Sequence, residues 1–226
     1  MTVQVEVNVI GTLQSASSLK QPSRHRCQPV IWIANSTLAE RVGYRMALTS
    51  TIYAFEVQLA NVDRGVYEAL SLRVAMHPSE SAEYFVARML AYCLEYAEGI
   101  TFSRGISDPD EPTIAVRDLT GALRTWIEIG APDAARLHKA SKASPRTVIY
   151  THRDPSTLQR QLTGEKIHRA SDIEFYAIDR ELISGFAARL ERRMKFDMSF
   201  TDGMLYIVLG GTTLSGTVER LPLQPS

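Results

Sequence analysis

Cysteine is nearly absent from this 226-residue chain. The two present, Cys27 and Cys93, are too far apart for metal-ligand spacing and too few for a disulfide framework, which argues against a zinc module or a stapled secreted domain. No run of 18 or more apolar residues occurs, and the N-terminus lacks a basic stretch followed by an apolar one, so neither a membrane helix nor a secretory signal is expected. Net charge is absent too: Lys plus Arg and Asp plus Glu number 25 each. Without a bulk positive field, any nucleic-acid binding must rest on local patches. Also missing are internal repeats, a Gly-x-Ser-x-Gly elbow and a His-Glu-x-x-His helix, and Gly210-Gly211 lacks the strand-then-helix context of a phosphate cradle.

What remains is an ordinary globular composition, 45% hydrophobic and 22% charged, long enough for one domain with a real core. A cytoplasmic location is expected. Residues 1–45 stand apart, with a Gln/Ser/Pro-rich middle and only two acids, Glu6 and Glu40. They read as a leader, either disordered or accessory, in which Val3, Val5, Val7 and Val9 alternate like a strand. Strand patterning begins directly after Met46-Ala47-Leu48-Thr49, which predicts a domain over 46–226 and a natural start at Met46.

Periodicity predicts an α/β fold with a mixed central sheet flanked by helices. Residues 51–59 and 67–76 make an antiparallel hairpin, and Pro78-Ser79 opens a helix that Gly99 stops. Short strands are expected at 100–103, 113–116 and 123–129. A helix over 133–143, a strand at 147–150, a helix over 155–162 and a strand at 174–178 then imply parallel neighbours. A helix over 181–192 precedes strands at 196–200 and 204–209, joined through Asp202-Gly203, the strongest hairpin signal in the chain.

The chemically loaded stretch runs from Asp118 to Lys139. Glu128 lies among Trp126, Ile127 and Ile129, so its carboxylate must be paired, protonated or metal-bound. Asp118 ends one strand and Glu128 lies ten residues on, near the end of the next. A hairpin is expected to bring the two together as oxygen ligands for Mg²⁺ or Mn²⁺. The same residues also suit an edge salt bridge and an ordinary turn. Lys139 sits on the following helix, either on a solvated face or reaching back to orient water or stabilise phosphoryl charge. Glu80 and Glu83 open the long helix, where the helix dipole alone favours acids. Asp110 and Glu111, in a Pro/Asp loop, are second-choice ligands. His152 and Arg153 end an apolar strand, an edge where ligands of α/β sheets often bind.

His77-Pro78-Ser79-Glu80, Phe102-Ser103-Arg104-Gly105, Asp110-Glu111-Pro112, Trp126-Ile127-Glu128-Ile129-Gly130, Pro132-Asp133 and Arg136-Leu137-His138-Lys139-Ala140 together resemble the bacterial YaeQ family, from Met46 onward. That family is similar to restriction endonucleases of the PD-(D/E)XK superfamily. The resemblance implies a metal-dependent nuclease acting on nucleic acid, with Asp118 and Glu128 holding the metal and Glu80 or Glu83 assisting from the helix. The sequence departs from that pattern at Gly130, where a lysine is expected. Either Lys139 supplies the ammonium or the core binds nucleic acid or protein without catalysis.

Overall fold

The computed structural model describes residues 3–5, 50–103 and 110–224. The rest of the 1–45 leader lies outside the described residues. Within it, Val3–Val5 forms strand β1, paired in parallel with β3.

β2 (Thr51–Asn61) and β3 (Val66–Met76) form the predicted hairpin, with Phe55, Val57 and Leu59 on one face of β2 and Leu70, Leu72 and Val74 on that of β3, all buried. Helix α1 (Ala82–Leu94) begins later than expected. Ser81 is its cap, accepting from the Tyr84 amide, and Glu80 precedes it. Every residue from Phe85 to Leu94 is buried, so this helix runs through the core and does not ride on it. It can end where it does because Gly99 has φ +81° and lies against Arg117, where a Cβ would come within 1.9 Å of the carbonyl oxygen. Only glycine fits there.

β4 (Ile100–Phe102), β5 (Ile114–Arg117) and β6 (Leu123–Ile129) follow in antiparallel order. Helix α2 (Ala134–Ala143) crosses to β7 (Arg146–Thr151), and α3 (Pro155–Leu162) crosses to β8 (Glu174–Ile178), which makes β6, β7 and β8 parallel. Leu137 of α2 and Leu158 and Leu162 of α3 pack with Ile149 and Phe175 on one face. On the other, α1 packs with Leu182, Ile183 and Phe186 of α4 (Arg180–Ala187) over Val148, Tyr150 and Ile178. The helix after β7 and the helix after β8 therefore lie on opposite faces of the sheet.

α4 ends at Ala187, short of the expected 192, and β9 starts at Arg193. β9 (Arg193–Thr201) and β10 (Met204–Leu209) form the expected hairpin, with Asp202 at φ +49° and Gly203 at φ +73°. Beyond the sequence reading lies β11 (Thr212–Leu221), reached through Gly210-Gly211, both at positive φ. Its Thr/Ser/Gly content hides the strand pattern, yet it pairs with β10 on one side and β8 on the other. Those two pairings join both halves into one 11-stranded sheet among the described residues.

At the amino ends of β7 and β8, Arg146 donates to Glu95 at 2.6 and 3.0 Å and to Glu174 at 2.8 Å twice. Tyr150 adds its hydroxyl to Glu95 at 2.8 Å, and Arg64 and Asn61 donate to the Leu94 carbonyl at the end of α1. This cluster ties helix to sheet. Glu95 is 4% exposed, a burial its donors make tolerable.

Candidate functional site

The β5–β6 hairpin decides which acids can meet. Its turn closes at Asp118, whose amide donates to the Ala122 carbonyl at 3.0 Å while Gly121 donates back to Asp118 at 2.8 Å. Arg117 therefore pairs with Leu123, and Ile114 with Ile127. Glu128 falls opposite Thr113, whose hydroxyl donates to Oε2 at 2.9 Å. At about 3.3 Å per residue, the five steps from position 123 to 128 put roughly 17 Å between the turn and Glu128. The expected approach of Asp118 to Glu128 does not occur. A tight turn at 118–122 pairs near neighbours, not residues ten apart.

Asp118 serves the turn. Its Oδ1 accepts from the Thr120 hydroxyl at 2.6 Å and from the Thr120 and Ala122 amides, and Oδ2 accepts from Arg124 Nε and Nη2 at 2.8 Å. The Thr120 hydroxyl leads the donors that hold its carboxyl below the usual range.

Glu128 is paired, as its apolar flanks require. At 3% exposure it takes the Trp126 indole N–H, the Thr113 hydroxyl and the Arg136 guanidinium, the last at 2.8 Å. Trp126 and Glu128 share a strand face by the two-residue period, and that face meets α2. There Asp133 caps the helix by accepting from the Arg136 amide at 2.7 Å. The same Arg136 side chain donates to the Glu111 carbonyl at 2.9 Å and lies over the Trp126 ring. One turn further along, Lys139 pairs with Asp110. The loop acids Asp110 and Glu111, second choices from sequence, thus reach the α2 face that also holds Glu128, and Asp118 does not.

Glu80 belongs to a separate buried pair. Arg88 meets it through Nε at 3.0 Å and Nη2 at 3.1 Å, and also donates to the Ala75 carbonyl at 2.8 Å. The His77 amide donates to Glu80 at 2.8 Å. No motif in the sequence marks Arg88. Its position on a helix buried all round supplies the missing signal, since a charge there needs a partner.

Tyr84 links these parts. Its hydroxyl lies near Thr113 and the charges of Arg88, Glu128 and Glu80, and burial first of all raises its pKa. Its ring lies 3.6 Å from where a Cβ on Gly130 would stand and meets His152 edge-on at 6.1 Å. Gly130 has φ +89°, a conformation that disfavours lysine on backbone grounds alone. Thr113 and Tyr84 went unnoticed in the sequence and Arg136 figured there only within a family phrase, with no role; register and helix phase bring all three in.

Among the described residues no group of three or more His, Cys, Asp or Glu side chains is arranged to hold a metal ion. No described helix is long and apolar enough to cross a membrane.

A family model described as YaeQ protein matches residues 46–218. The chain is 31% identical over 164 residues to the uncharacterized protein YaeQ of Escherichia coli (strain K12), covering 72% of this chain and 90% of that one. Its counterpart in Salmonella typhi is 28% identical over 163 residues, with the same coverage. The fold is similar to the crystal structure of YaeQ protein from Pseudomonas syringae, with TM-score 0.68, 30% identity, and coverage of 76% of this chain and 96% of that one. For YaeQ protein from Xanthomonas axonopodis pv. citri the TM-score is 0.70 at 30% identity, covering 78% and 100%.

Proposed function

The chain belongs to the YaeQ family, and from that premise we propose that it is a cytoplasmic, metal-dependent phosphodiesterase acting on nucleic acid from a restriction-endonuclease-like core. One observation carries the reading: Arg136 and Lys139, one turn apart on α2, each hold an acid, Glu128 and Asp110. Two acids and two cations thus gather beside the end of β6, the grouping that phosphoryl-transfer chemistry uses.

Asp118 and Glu128 do not fit a shared cation, because the hairpin register separates them. The carboxylates we assign to Mg²⁺ or Mn²⁺ are instead Asp110 and Glu128, hard oxygen donors whose cationic partners, Lys139 and Arg136, stand one turn apart on α2. When bound there, the metal supplies Lewis-acid stabilisation of a phosphoryl oxygen. Trp126 and Thr113 keep the Glu128 carboxylate in one orientation. Arg136, released from Glu128, faces a substrate phosphate. Lys139, 43% exposed in its side chain, replaces the ammonium that Gly130 cannot carry and orients the attacking water. Glu80 stays with Arg88 and positions the start of α1.

The test is cleavage of DNA and RNA with Mg²⁺ or Mn²⁺ by the wild type and by Glu128→Gln, Asp110→Asn, Lys139→Ala and Asp118→Asn. Cleavage lost in the first three and kept in the fourth is expected. Undiminished cleavage by Glu128→Gln sinks the reading.

A second reading, a nuclease-like core that binds without cleaving, is favoured by the three donors Glu128 already holds. It predicts saturable nucleic-acid binding, weakened in Arg136→Gln, with no turnover under any divalent cation.

A further inference from the structure

A second opening lies at the carboxyl ends of β7 and β8, and it uses none of Asp110, Glu128 or Lys139. It has a volume of about 920 Å³ and is lined by the start of α1, the β7–α3 turn and the first turns of α4, including Ser81, Glu83, His152, Arg153, Arg180 and Ile183. The topology puts a crevice there. α3 leaves β7 toward one face and α4 leaves β8 toward the other, so the two connections diverge, and ligands of α/β sheets collect at such a divergence. The volume suits an organic molecule and exceeds what a bare inorganic ion needs.

His152, in the pocket wall, is the independent sign of a ligand. It is 8% exposed, yet its Nδ1 has no hydrogen-bond partner among the described residues. Folded chains seldom leave such an atom unsatisfied without a functional reason. Its ring meets protein as an aromatic, edge-on to Tyr84. Burial first, then the charges of Arg153 and Arg180, lower its pKa, against the opposing pull of Glu83. A neutral imidazole offers one donor and one acceptor.

Two cations frame it. Arg153 and Arg180 are exposed, and neither guanidinium makes a hydrogen bond or ion pair with the described residues. Both lie close enough to act on His152. The nearby Asp154 is engaged elsewhere, accepting from the Ser156 amide at 3.0 Å and hydroxyl at 2.7 Å to cap α3. Two unpaired guanidiniums favour a phosphate. Glu83 and Glu181 on the walls favour hydroxyl or amino donors on the same molecule. A nucleotide carries both kinds of group.

We propose that this pocket binds an organic phosphate of nucleotide size, its phosphate held by Arg153 and Arg180 and its sugar or base hydrogen-bonded to His152. The phosphate comes either from a free mononucleotide or from the 5′ end of a nucleic-acid strand.

Calorimetric titration of the full chain decides this, with adenosine 5′-monophosphate, inorganic phosphate, adenosine, and a short oligonucleotide with and without its 5′-phosphate as probes. The monophosphate or the phosphorylated strand binds saturably, about tenfold or more tighter than inorganic phosphate. Whichever binds tighter identifies the source. The exposed-site double variant Arg153→Gln/Arg180→Gln loses at least about tenfold in affinity while its thermal unfolding is unchanged. His152→Phe, which keeps the ring and removes both nitrogens, weakens binding by a smaller factor. If that variant fails to fold, the double arginine variant decides alone. The proposal is overturned if neither phosphorylated probe binds saturably, or if the double variant binds as the wild type does. Neither result bears on cleavage at Glu128, so the two readings fail separately.

Discussion

The two ends of the parallel strands β6, β7 and β8 are both built on buried carboxylates, and they differ in what the fold leaves over. At the amino end, Glu95, Arg146 and Glu174 meet one another and the hydroxyls of Tyr150 and Tyr176. At the carboxyl end, Glu128 and Glu80 are paired too, but beside them stand an open pocket, two exposed arginines and a buried imidazole nitrogen without a partner among the described residues. One end fastens the sheet to α1, and the other leaves polar groups facing an open pocket. Strand direction explains the split. The β6–α2, β7–α3 and β8–α4 connections all leave from the carboxyl end, and loops there can carry polar groups without disturbing the core.

The largest effect is expected at the fastening end. Arg146→Met leaves buried Glu95 with only the more distant Arg64, 3.7 Å away, as a cation, and should cost about 3 kcal/mol, the low end for a broken buried pair, measured by urea unfolding. A loss under about 1 kcal/mol, the scale of a surface pair, would erase the distinction between the ends. Arg136→Met at the carboxyl end should cost less, about 1–2 kcal/mol, because Glu128 keeps Trp126 and Thr113 as donors. The same denaturation series ranks the two.

Titration separates the ends further. The folded pKa of His152 is lowered, so the unfolded chain takes up its proton first and stability falls as pH drops below about 6.5. The folded pKa of Glu174 is lowered chiefly by Arg146. Its contribution is complete above the ordinary glutamate range and disappears only as pH falls through the depressed value. Thermal melts from about pH 7 down to about pH 3 should therefore show an upper slope that His152→Phe abolishes and a lower one that Glu174→Gln reduces. A profile unaltered by His152→Phe counts against a neutral, buried imidazole. Smallest of all is Asp118→Asn. The side chain keeps an acceptor for its turn and loses only an exposed pair with Arg124, so the same unfolding assay should show no resolvable change.

Much of this was legible in the residues, in proportion to how local the cause is. Trp126, Ile127 and Ile129 announced that Glu128 is buried and needs a partner, and it has three. Asp118-Leu119-Thr120-Gly121 announced a turn. Had that turn been used to set the register, Thr113 would have been read as the residue facing Glu128, and Asp110 would have come within reach ahead of Asp118. The signal was there, but pairing is a property of two segments. Helix α1 showed its apolar spacing but not that its opposite side is also covered, because α4, which lies against it, comes about a hundred residues later in the chain. Arg88 and Glu80 were for that reason not seen as a pair. β11 escaped notice because its alternation is carried by threonine, glycine and valine, a pattern that acquires meaning only between two neighbouring strands.

That same strand sets an order of events during synthesis. β11 follows every other described strand in the chain, and both β8 and β10 pair with it. Until it leaves the ribosome, each half of the sheet presents an unpaired edge to the surrounding solution. A chain interrupted before Thr212 would therefore be two open sheets tethered together and prone to pairing with other chains, although every residue of both proposed sites had already been translated.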